Sequence, residues 1–325
     1  MISAAKLGFS RRNLPIIATM TVFVVLYMIG GMTFRGFLTN RVFFNLLTDN
    51  AVLGITAVGM TFVIFTGGID LSVASVVSTT AMIVAVMTQA GVPNLFVIIC
   101  AILFGTLLGL VMGFIIHYFD APAFIVTLSG QFFARGFGYI LSLDSVPIQY
   151  DFYQKASSFG IRIGNGKLTL PAIILLVVIA LGIFISKKTK LGRNIYALGG
   201  NEQSALLMGL PVGKTKIIVY TMSGFCASLA GFVYTFYTLS GYGLAAIGLE
   251  MDAIASAVIG GTLMTGGYGT IFGTLIGTLI QGVIKTIISF HGELSAYWIK
   301  IFVGGMLLSF ILLQRVFVAG SGKRD

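Results

Sequence analysis

Residues 93–118 read PNLFVIICAILFGTLLGLVMGFIIHY and contain no Asp, Glu, Lys or Arg. About 20 mainly apolar residues in a helix cross a hydrocarbon core of ~30 Å, so this stretch is long enough to span a bilayer. Gly105, Gly109 and Gly113 recur along it every fourth residue. On a helix that spacing lines them up on one face, where small residues let another backbone come close.

Similar segments follow almost end to end. Of 325 residues, 57% are hydrophobic and 9% charged, against roughly 25% charge in an ordinary soluble chain. Mean hydropathy is +1.01. The reading is an all-α polytopic membrane protein with about ten transmembrane helices. They fall near 14–33, 47–66, 70–90, 93–118, 122–142, 168–186, 214–238, 246–264, 269–290 and 296–317. A signal peptide is the competing reading of the first segment. An uncleaved helix fits better, because Leu14 to Met32 is long enough to span and no small-residue cleavage pattern follows. Cys100 and Cys226 both lie in apolar stretches and read as small core residues, not as a disulfide or metal pair. His117 and His291 are far apart in sequence, so no metal site is expected.

The net charge of +10 could suggest nucleic acid, but the cations cluster beside apolar segments as topology signals do. Lys187, Lys188, Lys190, Arg193, Lys214 and Lys216 form one cluster, and Lys6, Arg11, Arg12, Arg315, Lys323 and Arg324 make both termini basic. An even number of spans puts these regions on one side, which the positive-inside rule makes the cytoplasm. The expectation is one transmembrane domain over 1–325, with halves of about 14–142 and 168–317. Residues 143–167 form an outer, periplasmic loop, and 187–213 a cytoplasmic coupling loop. Gly269, Gly273 and Gly277 repeat the four-residue stripe of the fourth span on the ninth. Two unrelated packing stripes would look the same. If the stripes mark duplication, an offset of five helices inverts one half, as in inverted-repeat transporters.

Two glycine-rich interruptions read as helix breaks: Gly67 and Gly68 within Thr66 to Ser72, and Gly260, Gly261, Gly266 and Gly267. Asp70 fits two readings, a cap on the next helix and a polar group beside a broken helix that lines a pathway. Glu250 and Asp252 open a short span and fit either an outer interface or a buried site. Gln131 and Arg135 lie within the fifth span. An intramembrane cation there points to the protein interior or to water, with Asp70 or Glu250 as a candidate acid partner. Asp70, Ser72, Thr127, Gln131 and Arg135 are thus the candidate pathway group. Lys285 and Lys300 are read as snorkelling cations. Within the basic loop, Asn201, Glu202, Gln203, Ser204, Leu206 and Met208 are expected in a short amphipathic helix. Asn201 would cap it, and its apolar face would suit a partner's groove. Gly213-Lys214-Thr215 resembles the end of a phosphate-binding loop, but Met208 stands where that pattern needs glycine. No catalytic set is apparent.

The ordered motifs Gly59 to Ile64, Thr66 to Ser72, Pro122 to Leu128, Tyr196 to Glu202, and Leu249 to Ala255 with Val258 to Thr262 resemble those of sugar ABC importer permeases. The likeness is to the ribose, xylose and galactofuranose branch and covers about residues 15–315. The runs at 45–50 and 145–148 are most similar to a galactofuranose importer permease. Ala74 departs from a glycine common in relatives, and Gln203 and Ser204 depart from alanines. The resemblance implies a bacterial inner-membrane subunit that carries a monosaccharide without changing it covalently. It also implies a second permease subunit, similar or identical, a periplasmic sugar-binding protein, and cytoplasmic ATPases that use ATP and Mg and push on the coupling helix. The chain itself would carry no cofactor. A stand-alone secondary transporter or channel is the alternative on composition alone, although it needs no docking helix. An intramembrane enzyme would need a clustered catalytic set at membrane depth.

Overall fold

The computed structural model describes residues 14–292, 295 and 297–321. The chain opens with α1 (Leu14–Thr33), α2 (Asn40–Asp49), α3 (Ala51–Phe65), α4 (Val73–Gln89), α5 (Asn94–Tyr118) and α6 (Ala123–Leu141). A connecting region holds β1 (Val146–Pro147), α7 (Asp151–Ser158), β2 (Gly160–Ile163) and β3 (Gly166–Thr169). Then come α8 (Leu170–Lys188), α9 (Lys190–Gly200), α10 (Glu202–Leu207), α11 (Val212–Thr238), β4 (Ser240–Gly241), α12 (Leu249–Ile259), α13 (Ile271–His291) and α14 (Tyr297–Ser321). The basic terminal residues Lys6, Arg11, Arg12, Lys323 and Arg324 lie outside the described residues.

All ten apolar segments are helical, as an all-α membrane protein requires. Six described helices (α1, α5, α6, α8, α11 and α13) are long and apolar enough to cross a bilayer, and α2 with α3 adds a seventh if their bent pair is one span. The bend is 52° and falls at Asn50, whose Nδ2 donates to Leu46 O at 2.8 Å. A side chain that takes a helix carbonyl lets the backbone turn without leaving that acceptor bare. The eighth segment shrinks to α12. Gly248, with φ of +85°, precedes it, and Gly260-Gly261 ends it.

The expected loops are more ordered than that word suggests. Residues 143–167 contain α7, β1, β2 and the start of β3. Antiparallel β1 pairs with β4, matching Val146 to Gly241, and β2 pairs with β3. Residues 187–213 hold the whole of α9 and α10.

The connections sort into two ends. At one end, the 66–72 turn, the 119–123 turn and α10 line a common cavity, and the 260–270 turn touches the 66–72 turn. At the other, β1 meets β4, Phe34 stacks near Phe290 (5.7 Å), and Thr48 bonds Thr169 (2.8 Å). The buried core lies between them, centred on α3, α4, α11, α12 and α13.

Helix neighbours repeat. α4 packs on α5, α6 and α11, while α12 packs on α13, α14 and α3, and α3 meets α11 between them. Exchanging α3 with α11, α4 with α12, α5 with α13 and α6 with α14 turns one set into the other, an offset of five apolar segments. The outer helices break the correspondence, since α1 lies on α13 but α8 lies mainly on α3.

The two glycine stripes are not equivalent in this scheme. Gly105, Gly109 and Gly113 bring α5 against the backbone of α11, where a Cβ on Gly105 would come 2.8 Å from Gly224 O. Gly105 N also donates to Ser228 Oγ at 3.0 Å. Gly273 and Gly277 instead bring α13 against α12, where side chains would collide with Gly260 O and Ser256 O. Gly269 precedes the helix, with φ of +148°. The stripes are therefore two separate close approaches, and the helix pairing carries the repeat.

Candidate functional site

The first break ends α3 at Phe65 and restarts as α4 at Val73. Gly67 adopts φ of +77°, which glycine takes without strain. Asp70 has no exposed surface. Its Oδ1 accepts from Ser72 N (3.0 Å) and Ser72 Oγ (2.6 Å), and its Oδ2 accepts from Ser223 Oγ of α11 (2.7 Å). Ser72 itself holds the N-cap position of α4. Asp70 is therefore not the cap of α4; it braces the turn that leads into the N-cap residue. It also ties this turn to α11.

Of the pathway candidates, Thr127, Gln131 and Arg135 lie on α6, which packs on α4, while Asp70 and Ser72 lie in the turn before α4. Thr79 Oγ1 donates to Ala134 O at 2.7 Å, and Thr127 Oγ1 donates to Ala123 O at 2.8 Å. Ser72 and Thr127 have no exposed surface, so together with Asp70 they do not face an open route in this structure. Gln131 and Arg135 are half-buried. Arg135 Nε donates to Ser75 Oγ of α4 at 3.1 Å. The described ion pairs are Lys155–Asp151, Lys216–Glu202 and Lys300–Asp252. The expected acid partner of Arg135 is therefore replaced by a neutral hydroxyl. Asp70 is already occupied by two serines, and Glu250 starts a different helix.

Lys300, read as a snorkelling cation, is exposed and pairs with Asp252 at 3.4 Å. Asp252 O accepts from Gln281 Nε2 at 2.8 Å, so α12, α13 and α14 are joined where α12 begins. Glu250 Oε2 is buried there without a hydrogen-bond partner among the described residues. Cys226 is buried as expected, whereas Cys100 is exposed on α5.

The second break lies directly against the first. A Cβ on Gly266, where φ is +87°, would come 2.8 Å from Gly67 N, and Gly267 N donates to Phe65 O at 2.9 Å. The end of α9 closes the group, since a Cβ on Gly199 would collide with both Phe65 O and Gly267 N. Tyr196 of α9 stacks near Phe65 (4.7 Å), and its Oη donates to Gly269 O at 2.9 Å. Three backbone segments thus meet with no side chain between them.

Helix α10 follows at once. Asn201 caps it as expected, with Oδ1 accepting from Ser204 N at 2.7 Å. Glu202, Gln203 and Ser204 are exposed in its first turn. Leu206, Leu207 and Met208 are 64%, 89% and 67% exposed, an apolar knob that none of the described residues covers. Glu202 Oε1 lies 2.6 Å from Lys216 Nζ of α11. A cavity of about 240 Å³ runs from this pair to Gly67 and Gly68. Exposed ion pairs add roughly 0–1 kcal/mol, so this one fixes orientation more than it stabilises.

Ser75 and Ser223 are not among the residues the sequence points to, and Tyr196, Gly199 and Lys216 stand out there only as parts of a motif and a basic cluster. Polar residues inside apolar runs are the signal that could have found the serines. No group of three or more His, Cys, Asp or Glu able to hold a metal occurs among the described residues.

The family model for the branched-chain amino acid transport system / permease component matches residues 42–311. The chain is 48% identical to the inner membrane ABC transporter permease protein YjfF of Escherichia coli K12, over 94% of this chain and 93% of that protein. It is 39% identical to the fructose import permease protein FruG of Bifidobacterium longum, over 99% and 97% of the two chains. It is 34% identical to the D-allose transport system permease protein AlsC of Escherichia coli K12, over 90% and 89%. No solved structure matches. With most of its length matched by the family model and near full-length relatives at these identities, the chain belongs to the family of the branched-chain amino acid transport system / permease component.

Proposed function

We propose that this chain is the permease subunit of an ATP-driven monosaccharide importer, with galactofuranose as the cargo. It moves sugar across the bacterial inner membrane and catalyses no covalent step, because ATP and Mg are used by a separate ATPase subunit. The sugar class rests on relatives named for fructose and D-allose import. Galactofuranose rests on the likeness of residues 45–50 and 145–148.

The observation that carries the mechanism is the unbroken contact from α10 through Gly199 to both helix breaks. A push on the exposed knob Leu206–Met208 reaches Gly67 and Gly266 through backbone alone, with no soft side chain to absorb it. Closely packed interfaces of this sort switch between arrangements instead of deforming continuously. Asn201, Glu202, Gln203, Ser204, Leu206 and Met208 receive the ATPase. Asp70, Ser72 and Thr127 hold the turn that moves, and half-buried Gln131 and Arg135 supply hydrogen bonds along the route, which a second permease subunit completes. A neutral sugar needs such donors but not tight capture, since conduction requires release.

Both termini, the breaks and α9–α10 face the cytoplasm, and 143–167 faces the periplasm, where a sugar-binding protein docks. The basic residues of α8 to α11 support this sidedness through the positive-inside rule. In intact cells, a single cysteine at position 190 stays unlabelled by an impermeant reagent while one at Arg162 is labelled. The reverse pattern sinks the topology.

Glu202→Lys sets two lysines where an ion pair now orients α10 and puts a cation in the first turn, against the helix dipole. The expected result is normal membrane insertion with ATP hydrolysis detached from uptake. Normal uptake by this variant would remove Glu202 from the coupling role. The overall reading is tested with vesicles holding the permeases and ATPase plus binding protein, supplied with labelled galactofuranose, ribose and fructose. Uptake must require ATP, and ATP-independent uptake would favour a stand-alone carrier.

A further inference from the structure

Beside the glycine contact, a second cavity of about 480 Å³ opens between the end of α8, one face of α9 and the turn into α13. Lys187 and Arg193 line it, and no carboxylate among the described residues does. Both cations are exposed, and neither forms an ion pair with a described residue. The charge in this concavity is thus uncompensated within the described chain. The N-terminus of α13, a helix of 21 residues capped by Thr270, opens on the same space and adds positive potential.

We propose that this cavity binds a phosphate-bearing anion. Arginine offers paired donors that match phosphate oxygens, and lysine adds a compact charge. The volume falls within the range of small-molecule sites, roughly 300–1,000 Å³, so a phosphate with several attached carbons fits. Two sources share this chemistry. One is the headgroup of an anionic phospholipid in the inner leaflet, since Ile16 of α1 forms part of the wall. The other is a soluble phosphate or sugar phosphate from the cytoplasm.

The location gives binding a consequence. Gly267 and Gly269 belong both to this wall and to the contact between the breaks, and Tyr196 bonds Gly269 O across it. An anion held by Lys187 and Arg193 at the α13 entrance joins α8 and α9 to the second break. It favours whichever arrangement keeps those three together, to the extent of its differential affinity.

The test uses the complete permease–ATPase complex in neutral phosphatidylcholine nanodiscs. One arm replaces part of the lipid with phosphatidylglycerol. The other adds inorganic phosphate or glucose 6-phosphate to the neutral discs. Thermal midpoint and phospholipid retained in native mass spectra are read, neither of which depends on transport or on the identity of the sugar. A headgroup site raises the wild-type midpoint only in the first arm, and a soluble-phosphate site raises it in the second. Lys187→Gln with Arg193→Gln loses the shift, while Lys187→Arg with Arg193→Lys keeps it. A wild-type complex that responds in neither arm overturns the proposal, as does an equal response from the doubly neutral variant.

Discussion

Sugar uptake collapses in a Gly199→Ala complex, while Gly200→Ala transports normally. The two glycines are adjacent, yet they face different surroundings. A Cβ on Gly199 would collide with Phe65 O and Gly267 N, whereas one on Gly200 meets nothing within 4 Å. Backbone atoms cannot rotate aside as a side chain can, so the methyl forces α9 away from both breaks. Overpacking of this type costs about 1–3 kcal/mol, which is about five- to 150-fold in an equilibrium. Membrane insertion survives, since no span is altered. What fails is transmission, so ATP hydrolysis in reconstituted vesicles persists while uptake per complex drops at least about fivefold. Equal coupling ratios for Gly199→Ala and wild type would show that α9 does not drive the breaks. Gly200→Ala controls for a general loss of helix flexibility.

Asp70 gives the second large effect, through a pair of variants. In Asp70→Asn the remaining oxygen still accepts from Ser72 N, and the new NH₂ group faces Ser223 Oγ, which turns to accept. The turn is kept and only the carboxyl group is lost. In Asp70→Ala, one backbone N–H and two serine hydroxyls lose their partner at Ser72 and Ser223, neither of which has exposed surface. Each buried group left unsatisfied costs about 1–3 kcal/mol. The expected outcome is that Asp70→Ala fails to assemble, while Asp70→Asn assembles and transports poorly. Uptake divided by the amount of assembled complex is the deciding quantity. Wild-type values for both Asp70→Asn and Arg135→Gln would leave the pathway assignment without support, and Asp70 would be a brace between α4 and α11.

Arg135 shows why a residue's type can be informative while its partner is not. A cation in an apolar helix must reach polar company, and the sequence states that much. It does not state which company, and a serine on α4 satisfies part of the need that a carboxylate was expected to meet. Lys300 runs the other way, because its acid lies 48 residues earlier on α12.

The sequence by itself determined the solvent, the apolar helices, the two glycine-rich breaks and the capped knob at Asn201–Met208. These follow from local composition: apolar length, glycine pairs, and a cap residue one step before its helix. Tertiary structure alone decided that the breaks at Gly67 and Gly266 touch, that Gly199 lies between Phe65 and Gly267, and that Ser223 holds Asp70 across 153 positions. It also gave the two glycine stripes different partners, α11 and α12. The physical reason is that glycine records the absence of a side chain. That absence announces a close approach, but the approaching backbone can come from any segment that the packing of the other helices delivers.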